Sequence, residues 1–490
     1  MSNTTSQHTT IDTLQPHEVW KHFIAINAIP RASKKEERII AYIKDFGESL
    51  NLETIVDQVG NVIIKKPTST SNSTPSLILQ GHLDMVHQKN NDSDFDFDHS
   101  GIDMYITDGW VRARGTTLGA DNGLGVAAIM AILESKTIKH PAIEALFTID
   151  EETGMTGAKG LSKNILTGTT LLNFDTEDDE EIGIGCAGGI DITATRKYDI
   201  HPINQKSHQA IQISISGLKG GHSGMDIHLG LANANKLLIR AIMKAAQKYK
   251  VSLSSIAGGS LRNAIPREAM AIFYIPIEDL SDVECLLEQS IFEIKQEYNP
   301  LEPTINFTFS SIDADLKVIN ATESLKLIYV LNGIHNGVFR YSPSLPCLVE
   351  TSNNLAKITL SEGTAEILCL TRSSIESSRT ALVDCITSVL SLGSFDIATS
   401  GDYPGWTPNP DSAILKVIKD TYVKTFNHEP KVGACHAGLE CGIISSKYPN
   451  VDMVSYGPTI LGAHSPDERV NIDSVNKFWQ LTLILLERLS

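Results

Sequence analysis

Short apolar runs and one long apolar stretch alternate in the first third of the chain. Leu77–Gln80, Ile143–Ile149 and Leu171–Phe174 have the length and composition of buried strands. Between the first two, Asn122–Leu133 predicts a buried helix. Unbroken apolar strands that alternate with helices predict a mixed α/β sheet covered on both faces.

Two helices and a hairpin are predicted before the first of these strands. Apolar residues at helical spacing predict a helix over Pro16–Ala28 and another after Ser33, which we take as an N-cap with Glu36 three residues later. Thr54–Val59 and Val62–Lys65, separated by a Gly-Asn turn, predict the hairpin.

The pattern changes between residues 187 and 399, where two rounds of strands and helices follow each other. We predict two split-βαβ (ferredoxin-like) units in tandem, which together form an inserted α+β domain. The predicted elements are strand Ala210–Ser216, helix Leu231–Tyr249, strand Val251–Ile256, strand Ala269–Ile275, helix Val283–Tyr298, strand Thr304–Phe309, helix Glu323–Ile334, strand Lys357–Leu360, strand Ala365–Leu370 and helix Ser377–Leu392.

Composition and charge exclude several classes of protein. The 490 residues are too many for one ordinary core, and 41% hydrophobic with 20% charged residues is typical of a folded globular protein. A net charge of −17 argues against a nucleic-acid partner. No apolar run approaches the roughly 20 residues of a membrane span. The 7 cysteines, an odd number, indicate reduced thiols in a cytoplasmic protein.

Candidate metal ligands follow the predicted strands. His82, Glu151 and Asp175 each come just after one of the three apolar runs, and the chemistry of such sheets lies at the carboxyl ends of the strands. Imidazole and carboxylate both suit zinc, and two metals can share one carboxylate and one hydroxide. Asp121 lies in a Gly-Ala-Asp-Asn-Gly segment, whose glycines can also serve a tight turn alone.

Two neighbouring acids add to this pattern. In His82-Leu83-Asp84, the carboxylate of Asp84 can orient the imidazole through its second nitrogen. Glu151 and Glu152 are adjacent and point in different directions, so that one can bind metal while the other faces the attacking water. A Glu-Glu pair is also common on protein surfaces, and only the combination of motifs makes the prediction strong.

The sequence resembles the bacterial aminoacyl-histidine dipeptidases, also called peptidase D or cytosol non-specific dipeptidases. They belong to the di-zinc peptidases that include carnosinases and aminoacylases. The resemblance extends from about Leu14 to Leu489. The motifs that carry it are Gly-His-Leu-Asp-Met-Val (81–86), Thr-Leu-Gly-Ala-Asp-Asn-Gly (117–123), Asp-Glu-Glu-Thr-Gly (150–154), Asn-Phe-Asp-Thr-Glu (173–177), Gly-Gly-His-Ser-Gly (220–224), Arg-Asn-Ala-Ile-Pro (262–266), His-Ala-Gly-Leu-Glu-Cys-Gly (436–442) and Gly-Ala-His-Ser-Pro-Asp-Glu (462–468).

The resemblance implies a role for each residue of a two-zinc site. Asp121 would bridge the metals and precede a cis peptide bond to Asn122. One zinc would also be held by His82 and Asp175, and the other by Glu152 and His464. The remaining acids would be catalytic: Glu151 as general base and Asp84 behind the first histidine.

His464 lies far from the other ligands in the sequence. A ligand from that position requires the C-terminal section to rejoin the first domain. We therefore predict a catalytic domain of residues 1–186 and 400–490, interrupted by an inserted lid or dimerisation domain of residues 187–399.

The inserted domain would contribute substrate-binding residues. His222, in a glycine-rich turn, would stabilise the oxyanion. Arg372 resembles the family position that binds the substrate carboxylate, for which a guanidinium is well suited. Asn263 would hydrogen-bond beside it, and His436 of the seventh motif would also bind substrate. Alternatively, His222 and Arg372 are ordinary residues of a turn and a strand end.

The predicted function is zinc-dependent hydrolysis of dipeptides, including Xaa-His dipeptides such as carnosine. Glu151 would take a proton from a water held between two zinc ions, and the resulting hydroxide would attack the peptide carbonyl. Cobalt or manganese could replace zinc.

An aminoacylase or tripeptidase of the same group is the alternative function, and a non-catalytic protein that binds zinc or a peptide is a further alternative. A homodimer is possible. His87 stands where the family pattern has proline, and we expect it to be harmless.

Overall fold

The computed structural model describes residues 10–71 and 75–490, which fall into two compact units. Unit 1 comprises Met1–Gly185, Pro408–Ala434 and Glu440–Ser490, and unit 2 comprises Cys186–Thr407 and Cys435–Leu439. We predicted the boundaries 186/187 and 399/400. The second lies later because Asp396–Tyr403 pairs with Gly188–Lys197 inside unit 2. The segment 435–439 returns to unit 2, where the Ala187 amide donates to the carbonyls of Cys435 and Ala437.

The elements of unit 1 confirm the predicted mixed α/β architecture. Strands and helices are numbered in chain order, and those of unit 1 are α1 His17–Asn27, α2 Glu37–Ser49, β1 Glu53–Val56, β2 Val62–Lys66, β3 Leu77–His82, β4 Met104–Thr107, β5 Trp110–Ala113, α3 Ala120–Glu134, β6 Ile143–Thr148, α4 Thr156–Gly160, β7 Thr170–Asn173, β8 Glu181–Cys186, α9 Ala413–Phe426, β22 Lys431–Cys435, α10 Glu440–Lys447, β23 Asp452–Ser455, β24 Ile460–Leu461, β25 Arg469–Asn471 and α11 Ile472–Leu489.

The main sheet of unit 1 is mixed. Its strand order is β1-β2-β6-β3-β7-β23-β8-β22. Its centre, β6, β3, β7 and β23, is parallel, whereas β1 runs antiparallel to β2, β2 to β6, and β8 to β23. Every residue of β3 and β6 is buried, which explains why most of their side chains are apolar. The carboxyl ends of these strands meet at one edge.

Helix α3 covers the central strands of this sheet. All of its residues from Asn122 to Leu133 are buried, as the sequence predicted, and it packs on α1 and β3. The backbone departs from helical geometry at Asp121 and Asn122, and the peptide bond between them is cis, as the resemblance implied.

Helix α2 begins differently from the prediction. We expected Ser33 to cap it, but the helix begins at Glu37 and its N-cap is Glu36, without a side-chain cap hydrogen bond. The hydroxyl of Ser33 instead donates to Asp84 Oδ2 at 2.8 Å. Ser33, which we predicted as a helix cap, therefore hydrogen-bonds to Asp84, one of the predicted site residues.

Unit 2 contains two ferredoxin-like βαββαβ motifs, as predicted, but one motif is inserted into the other and the two are not in tandem. Its elements are β9 Gly188–Lys197, β10 Ile200–His201, β11 His208–Ser216, β12 Gly221–His222, α5 Ala234–Lys248, β13 Ser252–Gly259, β14 Ala264–Ile265, β15 Ala269–Pro276, α6 Leu280–Tyr298, β16 Asn306–Ile312, β17 Val318–Ile319, α7 Ala321–Gly333, β18 Gly337–Tyr341, β19 Val349–Ser361, β20 Thr364–Ser373, α8 Glu376–Leu392 and β21 Asp396–Tyr403.

The sheet order of unit 2 shows how the nesting arises. The strands follow the order β16-β11-β15-β13-β19-β20-β9-β21. The first motif, from β11 to β16, is formed by one continuous segment of the chain. The second motif takes β9 as its first strand and β21 as its last, so the first motif is inserted between β9 and α7. The two βαββαβ motifs share one buried apolar core beneath the continuous sheet of unit 2.

The helices of both units are too short or too polar for a bilayer. Over residues 10–71 and 75–490, no helix has the length and apolar character that a membrane span needs.

Candidate metal centre

Three parallel strands bring the predicted ligands to one edge of the unit 1 sheet. Strand β3 ends at His82, which lies opposite Thr148 at the end of β6. Glu151 follows β6 by three residues, and Asp175 follows β7 by two. The topology thus gathers residues that are far apart in the sequence, as the strand-end argument predicted.

The imidazole of His82 has two distinct sides. Its Nε2 lies 3.1 Å from Asp121 Oδ1 and 3.3 Å from Asp175 Oδ1. Its Nδ1 lies 3.2 Å from the carbonyl oxygen of Asp84 and 3.4 Å from Oδ1 of the same residue. An Nδ1–H that donates to Asp84 leaves the Nε2 lone pair directed toward the acids, which is the arrangement of a metal-binding histidine.

Asp121 lies between the two predicted histidines. Its Oδ1 is near His82 Nε2, and its Oδ2 is 3.2 Å from His464 Nε2. The same nitrogen of His464 is 3.0 Å from Glu152 Oε2. One carboxylate therefore faces a ligand group on each side, which is the geometry of a bridging ligand.

The described residues contain three groups whose possible ligand atoms all lie within 4.8 Å of one another. The groups are His82 with Asp121 and Asp175, His82 with Glu151 and Glu152, and Asp121 with Glu152 and His464. The first and third are the two ligand sets predicted from the sequence. His87 belongs to none of the three groups, and its ring packs edge-on against Phe97 with the centroids 5.8 Å apart.

The carboxyl groups of this cluster are buried and repel each other. Burial raises the pKa of Glu151 well above its usual range, and the charges of Asp175 and Glu152 raise it further against the opposing effect of His82. The pKa values of Glu152 and Asp175 are raised for the same reason, burial beside other carboxylates. A cluster of this kind requires positive charge to remain ionised at neutral pH.

Asp84 connects the first histidine to the two glutamates. Its Oδ1 accepts from the Glu151 amide at 3.0 Å, and its Oδ2 accepts from the Glu152 amide at 3.3 Å. Burial raises the pKa of Asp84, but hydrogen bonds and the charge of His82 outweigh this effect and lower it overall. The carboxylate is thus held ionised and fixes the turn that carries both glutamates.

Glu468 was not predicted to have a role, although it closes the last motif. Its buried carboxylate accepts the amides of four consecutive residues, Leu118 at 2.7 Å, Gly119 at 3.0 Å, Ala120 at 2.8 Å and Asp121 at 3.3 Å. These amides lie at the start of α3, where N–H groups lack helical partners. The position four residues after His464 is the one feature of the sequence that could have indicated it.

Arg31 was also missed. It is buried, and its guanidinium donates to the carbonyls of Leu83 at 3.2 Å, Asp84 at 3.0 Å and Gly119 at 2.6 Å. It therefore connects the backbone after β3 to the backbone before Asp121. An isolated arginine in a loop gives no pattern in the sequence from which this role could be predicted.

The predicted substrate residues lie together within unit 2. His222 pairs with Ala264 in the short β12–β14 ladder, and the Ser223 amide donates to the carbonyl of Asn263 at 2.7 Å. The amide of Met225 donates to His222 Nδ1 at 3.0 Å. In the neutral imidazole the proton is then on Nε2, which makes this atom a hydrogen-bond donor.

Arg372 and His436 share a neighbour on strand β19. Arg372 lies opposite Ser352 in the β19–β20 ladder, and the Ser352 hydroxyl is 2.8 Å from His436 Nε2. Arg372 Nη1 donates to the Tyr403 hydroxyl at 2.8 Å. Burial, together with the positive charge of Arg372, lowers the pKa of His436 to about 3, so that this histidine is neutral.

The chain is similar to known peptidases over nearly its whole length. The model of Peptidase family M20/M25/M40 matches residues 78–488. The cytosol non-specific dipeptidase of Escherichia coli (strain K12) is 40% identical over 477 residues, which cover 97% of this chain and 98% of that protein. The crystal structure of aminoacylhistidine dipeptidase from Vibrio alginolyticus has 44% identity and a TM-score of 0.92, with 98% of both chains covered.

A more distant structure shows the same fold. The aminopeptidase PepT from Bacillus cereus is 15% identical, with a TM-score of 0.57 over 97% of this chain and 99% of that one. The resemblance that the motifs indicated is confirmed by the two closer relatives. The chain belongs to peptidase family M20/M25/M40 and is a hydrolase that acts on peptide bonds.

Proposed function

We propose that this protein is a dipeptidase that requires two zinc ions, held at the carboxyl edge of the unit 1 sheet. The observation that carries the proposal is the position of Asp121, whose two oxygens face His82 on one side and His464 on the other. Full-length similarity to two proteins named as dipeptidases supports the choice of substrate class.

The residues present fit two zinc ions. Two imidazoles and three carboxylates form the predicted ligand sets, which are donors that zinc accepts in tetrahedral sites. Glu152 Oε1 is buried and has no hydrogen-bond partner among the described residues, although its other oxygen faces His464. Bound cations would satisfy this atom and offset the repulsion among the acids.

Zinc bound there would act as a Lewis acid and lower the pKa of a coordinated water toward about 7. Glu151 would take the proton of the attacking water and return it to the leaving amine, which a carboxylate beside the metal centre can do. Asp84 would keep His82 in one tautomer and hold the Glu151 amide.

The residues of unit 2 would recognise the dipeptide. We propose that His222 donates from Nε2 to the developing oxyanion, and that Arg372, Asn263 and His436 bind the substrate, with Arg372 on its carboxylate. Their support is the family resemblance together with the geometry of each residue inside its own unit. The lid role of this unit, a homodimer and a cytoplasmic location stay predictions.

The proposal is tested by hydrolysis of a panel of dipeptides, with carnosine included, before and after chelation. We expect activity on free dipeptides, loss of activity when metal is removed, and recovery with zinc, cobalt or manganese. Tripeptides and N-acyl amino acids belong in the same panel, because preferential cleavage of either would favour a tripeptidase or an aminoacylase. Full activity of metal-free protein would contradict the proposal.

A further inference from the structure

A chain of buried polar side chains crosses the carboxyl ends of four adjacent strands in unit 1. Thr148 of β6, Gln80 of β3, Asn173 of β7 and Ser455 of β23 are each at most 1% exposed. Polar residues at the end of otherwise apolar buried strands require partners within the protein. Here they find them in each other and in Glu440, the first residue of α10.

The hydrogen bonds along this chain all lead to Glu440. The Ser455 hydroxyl donates to Asn173 Oδ1, the Asn173 amide donates to Gln80 Oε1, and each bond is 2.5 Å long. The Gln80 amide donates in turn to Glu440 Oε2 at 2.7 Å, and the Thr148 hydroxyl donates to the same oxygen at 2.5 Å. Both of the last two bonds end on one oxygen of Glu440, and an ionised carboxylate accepts hydrogen bonds and donates none. Burial raises the pKa of this carboxyl to about 8.

The members of this chain are close in sequence to the predicted site residues. His82 follows Gln80 by two residues in β3, so the two side chains lie on the same face of the strand. Asp175 follows Asn173 by two residues, and Glu151 follows Thr148 by three. The hydrogen bonds between these strands therefore fix the spacing of three residues that the proposed mechanism uses.

We propose that Glu440 is a positioning residue for the metal centre. By accepting from β3 and β6 at the end of the chain, it sets the separation of His82, Glu151 and Asp175, and thereby the affinity of unit 1 for zinc. This inference rests on the proposed function, because it requires that zinc binds to these residues. It assigns a role to Glu440 of the seventh motif, in which the proposed mechanism uses only His436.

The test compares Glu440→Leu and Glu440→Gln with the unchanged protein. Zinc affinity is measured on metal-free protein by competition with a chromogenic chelator, and thermal unfolding of the same metal-free samples is recorded. Leucine removes the acceptor, and we expect about tenfold to hundredfold weaker zinc binding, the range found for outer partners of metal ligands. Glutamine keeps one acceptor oxygen and should lose less than about tenfold.

Glu144 provides a matched control at the opposite end of the same sheet. It is a buried acid of β6, and its carboxylate accepts from the Thr167 amide at 2.8 Å and the Gly168 amide at 3.0 Å. We expect Glu144→Leu to lower the unfolding temperature without changing zinc affinity. Thr148→Val is a milder variant that removes one donor to Glu440, and it should weaken zinc binding in the same direction if Glu440→Leu does not fold.

Two results would overturn the inference. One is unchanged zinc affinity in Glu440→Leu or, if that variant does not fold, in Thr148→Val. The other is an equal loss of affinity in Glu144→Leu, which would indicate general destabilisation. Failure of the proposed function has a different signature, because the unchanged protein would then bind no zinc or would hydrolyse dipeptides after chelation.

Discussion

Glu151 and Glu152 show how two adjacent residues of one type acquire different surroundings. Glu152 Oε2 lies 3.0 Å from His464 Nε2, whereas no such contact to that histidine is found for Glu151 among the described residues. The amides of both are held by the same carboxylate, that of Asp84. We therefore attribute their different proposed roles to the directions of their side chains, since Asp84 holds the backbone of both.

The first prediction separates these roles by substitution. Glu151→Gln should retain both zinc ions and lose about 10²-fold to 10⁴-fold in kcat, because an amide cannot accept the proton of water. Glu152→Gln should instead lower the zinc content toward one ion per chain. Metal analysis together with kcat on one dipeptide measures both effects. The opposite assignment of metal loss would show that the two roles are exchanged.

A second prediction concerns Arg372, which is buried and donates to the Tyr403 hydroxyl. If it binds the substrate carboxylate, Arg372→Ala should raise KM for free dipeptides by at least about tenfold, since a hydrogen bond to a charged group contributes roughly 1.5–3 kcal/mol. C-terminally amidated dipeptides, already poor substrates, serve as the control and should change little. Equal losses on both substrates would contradict carboxylate recognition.

At this scale the motifs indicated the proposed metal ligands but not the residues that support them. His82 and Asp175 each follow an apolar strand and Asp121 stands in a glycine-rich segment, whereas the complete ligand set with Glu152 and His464 was implied by the family resemblance. Arg31, Glu440 and Glu468 act on backbone or side chains that are brought near them only by folding. Glu468, for example, contacts amides some 350 residues away in the chain, a relation that no local pattern contains.

At the scale of elements, the start of α3 depends on an acid from another part of unit 1. Glu468 binds four successive amides there, which orients Asp121 between the two histidines. Because a helix N-terminus favours negative charge as well as hydrogen-bond acceptors, a carboxylate suits this position better than an amide.

The third prediction tests this anchor with Glu468→Gln. The amide side chain accepts through one oxygen only, so we expect the free energy of unfolding to fall by about 1–3 kcal/mol and zinc affinity to fall with it. Glu302→Gln is a matched control in unit 2, where a buried glutamate accepts the amides of Lys219 at 2.9 Å and Ala232 at 3.1 Å. It should lose stability in urea unfolding but bind zinc normally. Equal zinc loss in both variants would refute a local role for Glu468.

Most elements were predictable because their apolar pattern is local, but their pairing was not. Strands β3, β6 and β7 were placed correctly to within a few residues. Strand β9 was missed, and with it the nesting of the two ferredoxin-like units, because its partners β20 and β21 are more than 160 residues later in the chain. The Ser33 cap failed for a related reason, since its hydroxyl found a tertiary partner in Asp84.

On the scale of the whole molecule, the two units carry different kinds of chemistry. All five predicted metal ligands lie in unit 1, and the four residues predicted to contact substrate lie in unit 2, including His436, which lies outside the predicted inserted domain. Unit 1 contains the buried acidic cluster, whereas the unit 2 sheet has an extended apolar core. Metal removal should therefore affect the stability of unit 1 in particular.

The last prediction measures this difference by amide hydrogen exchange with and without a chelator. Binding to the folded state alone stabilises it by RT ln(1 + [L]/Kd), which is about 4 kcal/mol at a zinc concentration of about 1,000 Kd. Without zinc, the repulsion among Asp121, Glu151, Glu152 and Asp175 is no longer offset. We expect faster exchange at the carboxyl ends of β3, β6 and β7 and in the first turn of α3.

Amides of β11, β13 and β15 in unit 2 serve as the internal reference for this experiment, because none of the proposed ligands lies in that unit. A uniform increase in exchange over both units would mean that zinc stabilises the protein globally, and no increase in unit 1 would mean that the acidic cluster is stable without metal.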